Sequence, residues 1–300
     1  MNFIHQHTFK EHKGPLYALS AAEQPDYFYS AGADRRVILW NAKERKAEKV
    51  VAKSPTTIIS LLYIQKFNFL LIGQIEGGVH IIDLAKGEEY KYLKKHEGYI
   101  FCIAYIEEKE ELILASGDGA ISVWSLPDCQ LLLYRKVSEK KVRGLAYQAN
   151  REELAIACGD GKVLIYNTED WTLKSEISHF NSSVNAVAFH PTQLNKLLVG
   201  DKDAHLHQID LVESKRLLSL PAHYWAIYDI AFSPNHRVFA TASRDKTVKI
   251  WDAEELKVIK RFEGLKDQAH THSVNQLLWL NDTDLLSTGD DGSVRLWGIG

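Results

Sequence analysis

Apolar and polar residues alternate along much of this chain, and the alternation returns at a nearly fixed interval. "LYALSA", "FCIAYI", "VNAVAFH" and "IYDIAFS" read as strands with a period of two. Polar turn signals follow such runs: "EEKEE", "PTQLNK", "SPNHR" and "NDTD". A second apolar run comes next, as in "VFATAS", "LILAS" and "ELAIAC". Then comes a tight turn built on Asp-Gly or Asp-Lys, and a third run that often ends in tryptophan. A fourth run closes the unit after a short polar link, as in "QLLLYRKV", "KRLLSLPAH" and "KVIKRFEG". No segment carries the 3.6-residue period of an amphipathic helix.

Aligned on the third run, the anchors are Trp40, Ile82, Trp124, Tyr166, Ile209, Trp251 and Trp297, spaced by 42 or 43 residues and by 46 at the last step. An acid stands six residues before each: Asp34, Glu76, Asp118, Asp160, Asp203, Asp245 and Asp291. Four strands in roughly 42 residues make one blade of a β-propeller. The pattern predicts an all-β chain, a seven-bladed β-propeller of four-stranded antiparallel blades forming one domain over residues 1–300. The seventh unit stops after its third strand, at Trp297 to Gly300, while "NFIHQHTF", Asn2 to Phe9, is a strand without a blade. Pairing the two would complete the last blade and remove open sheet edges.

"LLSTGDDGSVRLW" and "FATASRDKTVKIWD", each with an upstream histidine, resemble the WD-repeat (beta-transducin-like) family. The resemblance extends over all seven units, although units two, four and five are degenerate. It implies the same ring closure, and a chain of His, Asp, Ser or Thr, and Trp side chains holding each repeat. The chemistry is plausible from first principles: a buried indole N–H needs an acceptor, and a hydroxyl on the neighbouring strand can bridge it to a loop imidazole and a turn carboxylate. The complete sets are His12, Ser30, Asp34 and Trp40; His223, Thr241, Asp245 and Trp251; and His270, Ser287, Asp291 and Trp297. His96, Ser116, Asp118 and Trp124 form a fourth with a turn one residue short, and unit five keeps His179 and Asp203 without the Trp. A Ser–His–Asp constellation also suggests a hydrolase triad, but a catalytic site occurs once and this one recurs.

The resemblance further implies that the face bearing the His loops and Asp turns grips peptides. Residues around three and five positions after the loop histidine, mapped one unit at a time, would line its centre. These are Pro15 and Tyr17, Thr57 and Ile59, Tyr99 and Phe101, Lys141 and Arg143, Ser183 and Asn185, Ala226 and Tyr228, and Ser273 and Asn275. Lys202 and Arg244, before their turn acids, join the ring. Tyr17, Tyr99, Phe101, Lys141, Arg143, Lys202, Tyr228 and Arg244 are therefore the candidate partner-binding residues, since aromatic and cationic side chains anchor interfaces. Tyr228 should lie opposite Tyr99 and Phe101 across a gap that a partner side chain could enter. An insertion, "LKDQA" at Leu265 to Ala269, lengthens a loop on the same face. Tyr224 and Trp171 are either rim contacts or ordinary exposed aromatics.

Composition narrows the alternatives. A formal charge of -3 argues against a dedicated nucleic-acid binder. No apolar run approaches a membrane span and no leader-like segment opens the chain, so a cytoplasmic location is expected. Cys102, Cys129 and Cys158 are too scattered for a disulfide framework or a zinc site. The paired histidines His5 with His7, His205 with His207, and His270 with His272 lack accompanying carboxylates at ligand spacing, so neither metal nor cofactor is expected. The reading is a monomeric, non-enzymatic scaffold that binds a protein or peptide. The alternatives are a ligand-binding or enzymatic propeller using the channel mouth, and a phosphopeptide- or nucleic-acid-binding module.

Overall fold

The computed structural model describes residues 2–178 and 180–299. Seven four-stranded antiparallel sheets stand in a ring. Blade one is built from Leu16–Ala21, Tyr27–Gly32, Arg36–Asn41 and Lys46–Lys53, in that order across the sheet. The first strands of the seven blades are Leu16–Ala21, Ile58–Ile64, Ile100–Ile106, Val142–Gln148, Val184–Phe189, Ile227–Phe232 and Val274–Trp279. They neighbour one another around a closed circle and wall a central channel. All seven anchor residues lie on third strands, from Trp40 in Arg36–Asn41 to Trp297 in Val294–Ile299.

The ring closes as the chain ends suggest. Phe3–Phe9 pairs antiparallel with Val294–Ile299 and becomes the outer strand of blade seven. That strand also joins two cores. Phe3 is buried in the cluster between blades six and seven, and Phe9 in the cluster between seven and one. This division follows from the sheet geometry: each blade has two faces, each face is apolar, and each must be buried against a neighbour. Trp40 packs there against Phe9 at 5.2 Å and Phe28 at 6.1 Å, and Trp251 lies parallel to Phe239 at 5.8 Å.

One irregularity repeats in every blade. The ladder between first and second strands skips a residue after its first pair, at Tyr17, Ile59, Phe101, Arg143, Asn185, Tyr228 and Asn275. Such a bulge leaves one residue unpaired and re-aims its side chain. Side chains at or beside the bulge then donate to backbone carbonyls of the next blade. Asn185 donates its amide to the Ile227 carbonyl at 3.2 Å, Asn275 to the Leu16 carbonyl at 2.7 Å, and Ser60 its hydroxyl to the Ile100 carbonyl at 2.7 Å.

Candidate functional site

The histidine loops and acidic turns meet on one face. In blade one, His12 Nδ1–H donates to Asp34 at 2.9 Å, since a carboxylate can only accept. Trp40 Nε1–H donates to Ser30 Oγ at 2.7 Å, which leaves the Ser30 hydroxyl proton for His12 Nε2 at 2.8 Å. Every member has one role, and together they require a neutral imidazole. Blade six repeats the arrangement through His223, Asp245, Thr241 and Trp251, and blade seven through His270, Asp291, Ser287 and Trp297. Each aspartate also accepts a backbone N–H from the histidine loop, from Lys13, Tyr224 or Thr271.

Burial holds the pKa of His12, His223 and His270 below the usual imidazole value, against the pull of their aspartates. Burial alone would raise Asp245 and Asp291. Hydrogen bonds from histidine, from Thr247 or Ser293, and from the loop backbone outweigh it and hold both well below the usual carboxylate range. Ser30, Thr241 and Ser287 are fully buried beneath indole rings, so no substrate carbonyl can reach these hydroxyls.

Blade three departs from the expected set. His96 Nδ1–H donates to Asp118 at 3.0 Å, but its Nε2 faces Ser122 at 2.8 Å, and Trp124 Nε1–H donates to the same Ser122 oxygen. Ser116 takes no part in that chain; its hydroxyl donates to the Gly98 carbonyl, as Ser243 donates to the Trp225 carbonyl in blade six. In blade five His179 lies outside the described residues. There the turn is organised by Asp201, which accepts from the His205 backbone N–H at 2.8 Å and from His207 Nε2–H at 3.1 Å. His5 bonds Thr8, and among the described residues no three His, Cys, Asp or Glu side chains gather as metal ligands.

Within this face the channel opens into a cavity of about 560 Å³. Tyr17, Tyr99, Phe101, Lys141, Arg143 and Tyr228 line it, while Lys202 and Arg244 do not. Lys202 is exposed beyond the rim, near enough to Lys141 to disfavour its charge. Arg244 lies over the Trp225 ring at 5.1 Å. The expected gap between Phe101 and Tyr228 is occupied. Arg143 places its guanidinium 5.4 Å from the Phe101 ring centre and 4.2 Å from that of Tyr228, joining blades three, four and six. Gly144 lets this strand sit close to its neighbour: a Cβ there would stand 2.9 Å from the Asn185 carbonyl. Tyr99 and Phe101 contact each other at 5.4 Å.

Deeper in the wall, Asp229 accepts from the backbone N–H of Leu277 and of Ile230, both at 2.8 Å. Burial nevertheless pushes its pKa up to about 6. Burial also pushes the Cys102 thiol to about 11, which keeps it protonated and unreactive.

The rim adds a pair absent from the +3 and +5 positions. Tyr224 and Trp225 follow the loop histidine of blade six and are 76% and 58% exposed. Arg261 covers the Tyr224 ring at 5.2 Å, as Arg244 covers Trp225. The signal in the sequence is the aromatic pair itself, "HYWA", in a loop with no packing role for two large rings. Leu265, in the blade-seven insertion four residues after Arg261, is 92% exposed.

Comparison with known proteins agrees with this architecture. A family model described as WD domain, G-beta repeat matches residues 3–41, 214–252 and 261–298. A second, the anaphase-promoting complex subunit 4 WD40 domain, matches residues 102–192. Among curated relatives, the WD repeat-containing protein 55 homolog of Drosophila erecta is 34% identical over 118 residues, 39% of this chain and 23% of the relative. The homolog of Drosophila persimilis is 35% identical over 118 residues, 39% of this chain and 22% of that protein. The chain thus spans less than a quarter of the length of the relatives it matches. With seven blades closed by the N-terminal strand, and repeats that match the family model at both ends, the chain belongs to the WD-repeat family of seven-bladed propellers.

Proposed function

We propose that this propeller is a protein-interaction scaffold whose histidine-loop face binds an extended segment of a partner across the channel mouth. The observation that carries this reading is the concentration of large aromatic side chains on one opening. Tyr17, Tyr99, Phe101 and Tyr228 wall the cavity, and Tyr224 with Trp225 stands exposed on the rim. Monomeric surfaces rarely group such residues without a partner to cover them, and Tyr, Trp and Arg dominate the energetics of interfaces. The buried hydroxyls of the His–Asp networks serve packing, which leaves the loops and the channel mouth as the variable surface.

The test uses peptides selected from a displayed library on the wild-type chain. Tyr99→Ala and Trp225→Ala remove exposed rings that take no part in the hydrogen-bonded networks. Each should weaken binding by about 2 kcal/mol or more while leaving the melting temperature almost unchanged. Unchanged affinity in both variants would place binding on the opposite face or on the blade edges.

A further inference from the structure

The channel mouth contains a cation with no hydrogen-bond partner among the described residues. Arg143 lies between the Phe101 and Tyr228 rings, and among the described residues its guanidinium has no hydrogen bond and no ion pair. A guanidinium has five N–H donors in one plane, and ring contacts satisfy none of them. The nearest acids are engaged elsewhere: Asp229 with two backbone N–H groups, and Asp290 with the Asn275 amide at 2.7 Å. Lys141 stands two residues earlier in the same cavity wall. Its charge is disfavoured by burial and by the repulsion of Arg143 and Lys202. The aromatic faces hold the guanidinium in place, so its in-plane donors are preorganised for a planar acceptor.

We propose that the cavity is a carboxylate-binding site, in which Arg143 receives an acidic side chain or a terminal carboxylate of the bound peptide and Lys141 supports it. This rests on the peptide-binding reading above. A carboxylate suits the surroundings better than a phosphate. Arg143 and Lys141 share the cavity wall with Asp229 and Asp290, so a dianion meets more repulsion from these two acids than a monoanion does. The cavity, about 560 Å³, has room for a side chain or a chain terminus of the bound peptide.

The experiment follows the Nε–Hε resonance of Arg143 in the full chain, assigned by its loss in Arg143→Gln. The probes are N-acetylglutamate α-amide, N-acetylalanine, N-acetylglutamine amide and inorganic phosphate, each raised to tens of millimolar. The expected result is a saturable shift with one or both carboxylates. The glutamine probe should bind roughly tenfold more weakly or worse, as expected for losing a charged hydrogen bond. Lys141→Gln should weaken the carboxylate without abolishing it. A response to glutamate alone identifies a side-chain carboxylate, and one to acetylalanine alone a chain terminus; both support the site. No saturable shift with either carboxylate overturns it, and so does tighter binding of phosphate. Should library-selected peptides lose binding in Tyr99→Ala or Trp225→Ala but keep it when their acids are amidated, the carboxylate site falls and the peptide face stands.

Discussion

Trp124 donates its indole N–H to Ser122, two residues back on its own strand, at 2.8 Å. In blade one the acceptor for Trp40 is Ser30, ten residues back on the neighbouring strand. The two solutions are related across the ladder. Leu114 takes the place of Ser30 and pairs with Ser122, just as Ser30 pairs with Ile38. A hydroxyl on either partner of this cross-strand pair can reach both the indole and the imidazole.

Ser122→Ala should therefore destabilise more than Ser116→Ala. The first leaves His96 Nε2 and Trp124 Nε1 without partners in a buried place, a loss of about 1–3 kcal/mol. The second removes a single bond to a carbonyl and a turn contact, about 1 kcal/mol. Exchanging the pair, Leu114→Ser with Ser122→Ile, should recover much of the Ser122→Ala loss because it recreates the blade-one arrangement. Urea unfolding of the three variants checks the order. Equal losses for Ser122→Ala and Ser116→Ala would remove Ser122 from the network.

In blade six, Trp251→Ala should cost about 3–5 kcal/mol, as large aromatic truncations in cores do. Asp245→Ala should cost about 1–3 kcal/mol, by orphaning the Tyr224 and Thr247 backbone N–H groups and leaving His223 Nδ1 only Thr247 Oγ1 as a partner. Thermal melts that coincide with the wild type for both would contradict a packing role for this repeat.

Removing the first ten residues deletes the outer strand of blade seven. It uncovers the edge of Val294–Ile299 and takes Phe3 and Phe9 out of two separate cores. Exposed edges pair with other chains, so the expected outcome is aggregation or a large fall in melting temperature. A soluble truncation that melts with the full chain would mean that this strand does not hold the ring.

Much of the architecture was legible because a propeller writes each blade in one short period. The 42-residue return of Trp40, Ile82 and Trp124 counts the blades, and the strand-like Asn2 to Phe9 meets an incomplete seventh unit. The hydroxyl of blade three was not legible, since spacing cannot say which member of a cross-strand pair supplies it. Nor was the stacking of Arg143 on Tyr228. Those residues are 85 positions and two blades apart, and only the ring closure and the bulge that turns both inward bring them together. Lys202 and Arg244 precede their turn acids, and such loop positions say little about how far inward a long side chain reaches. Tyr224 and Trp225 escaped the ring because counting three and five residues from His223 passes over the loop itself.

The pH dependence of stability separates the channel from the blade networks. His12, His96, His223 and His270 all have folded pKa values below the usual 6.5, because burial disfavours the imidazolium. The unfolded chain then binds protons more readily, and stability falls as pH drops through the unfolded value. Asp245 and Asp291 act in the same direction at lower pH, since their depressed carboxyl pKa values stabilise the fold only while they remain ionised. Asp229 opposes both. Its folded pKa of about 6 lies above the unfolded 3.8, so the folded state gains protons first and is stabilised as pH falls from about 7 to 4. That offset amounts to about 1–2 kcal/mol after allowing for its partly open side. Wild-type stability should thus decline gently on mild acidification. Asp229→Asn, which keeps the acceptor for the Leu277 N–H and cannot titrate, should decline more steeply over the same range. Chemical denaturation at several pH values between 4 and 8 measures both slopes. Parallel curves would show that Asp229 takes up no proton on folding in this range.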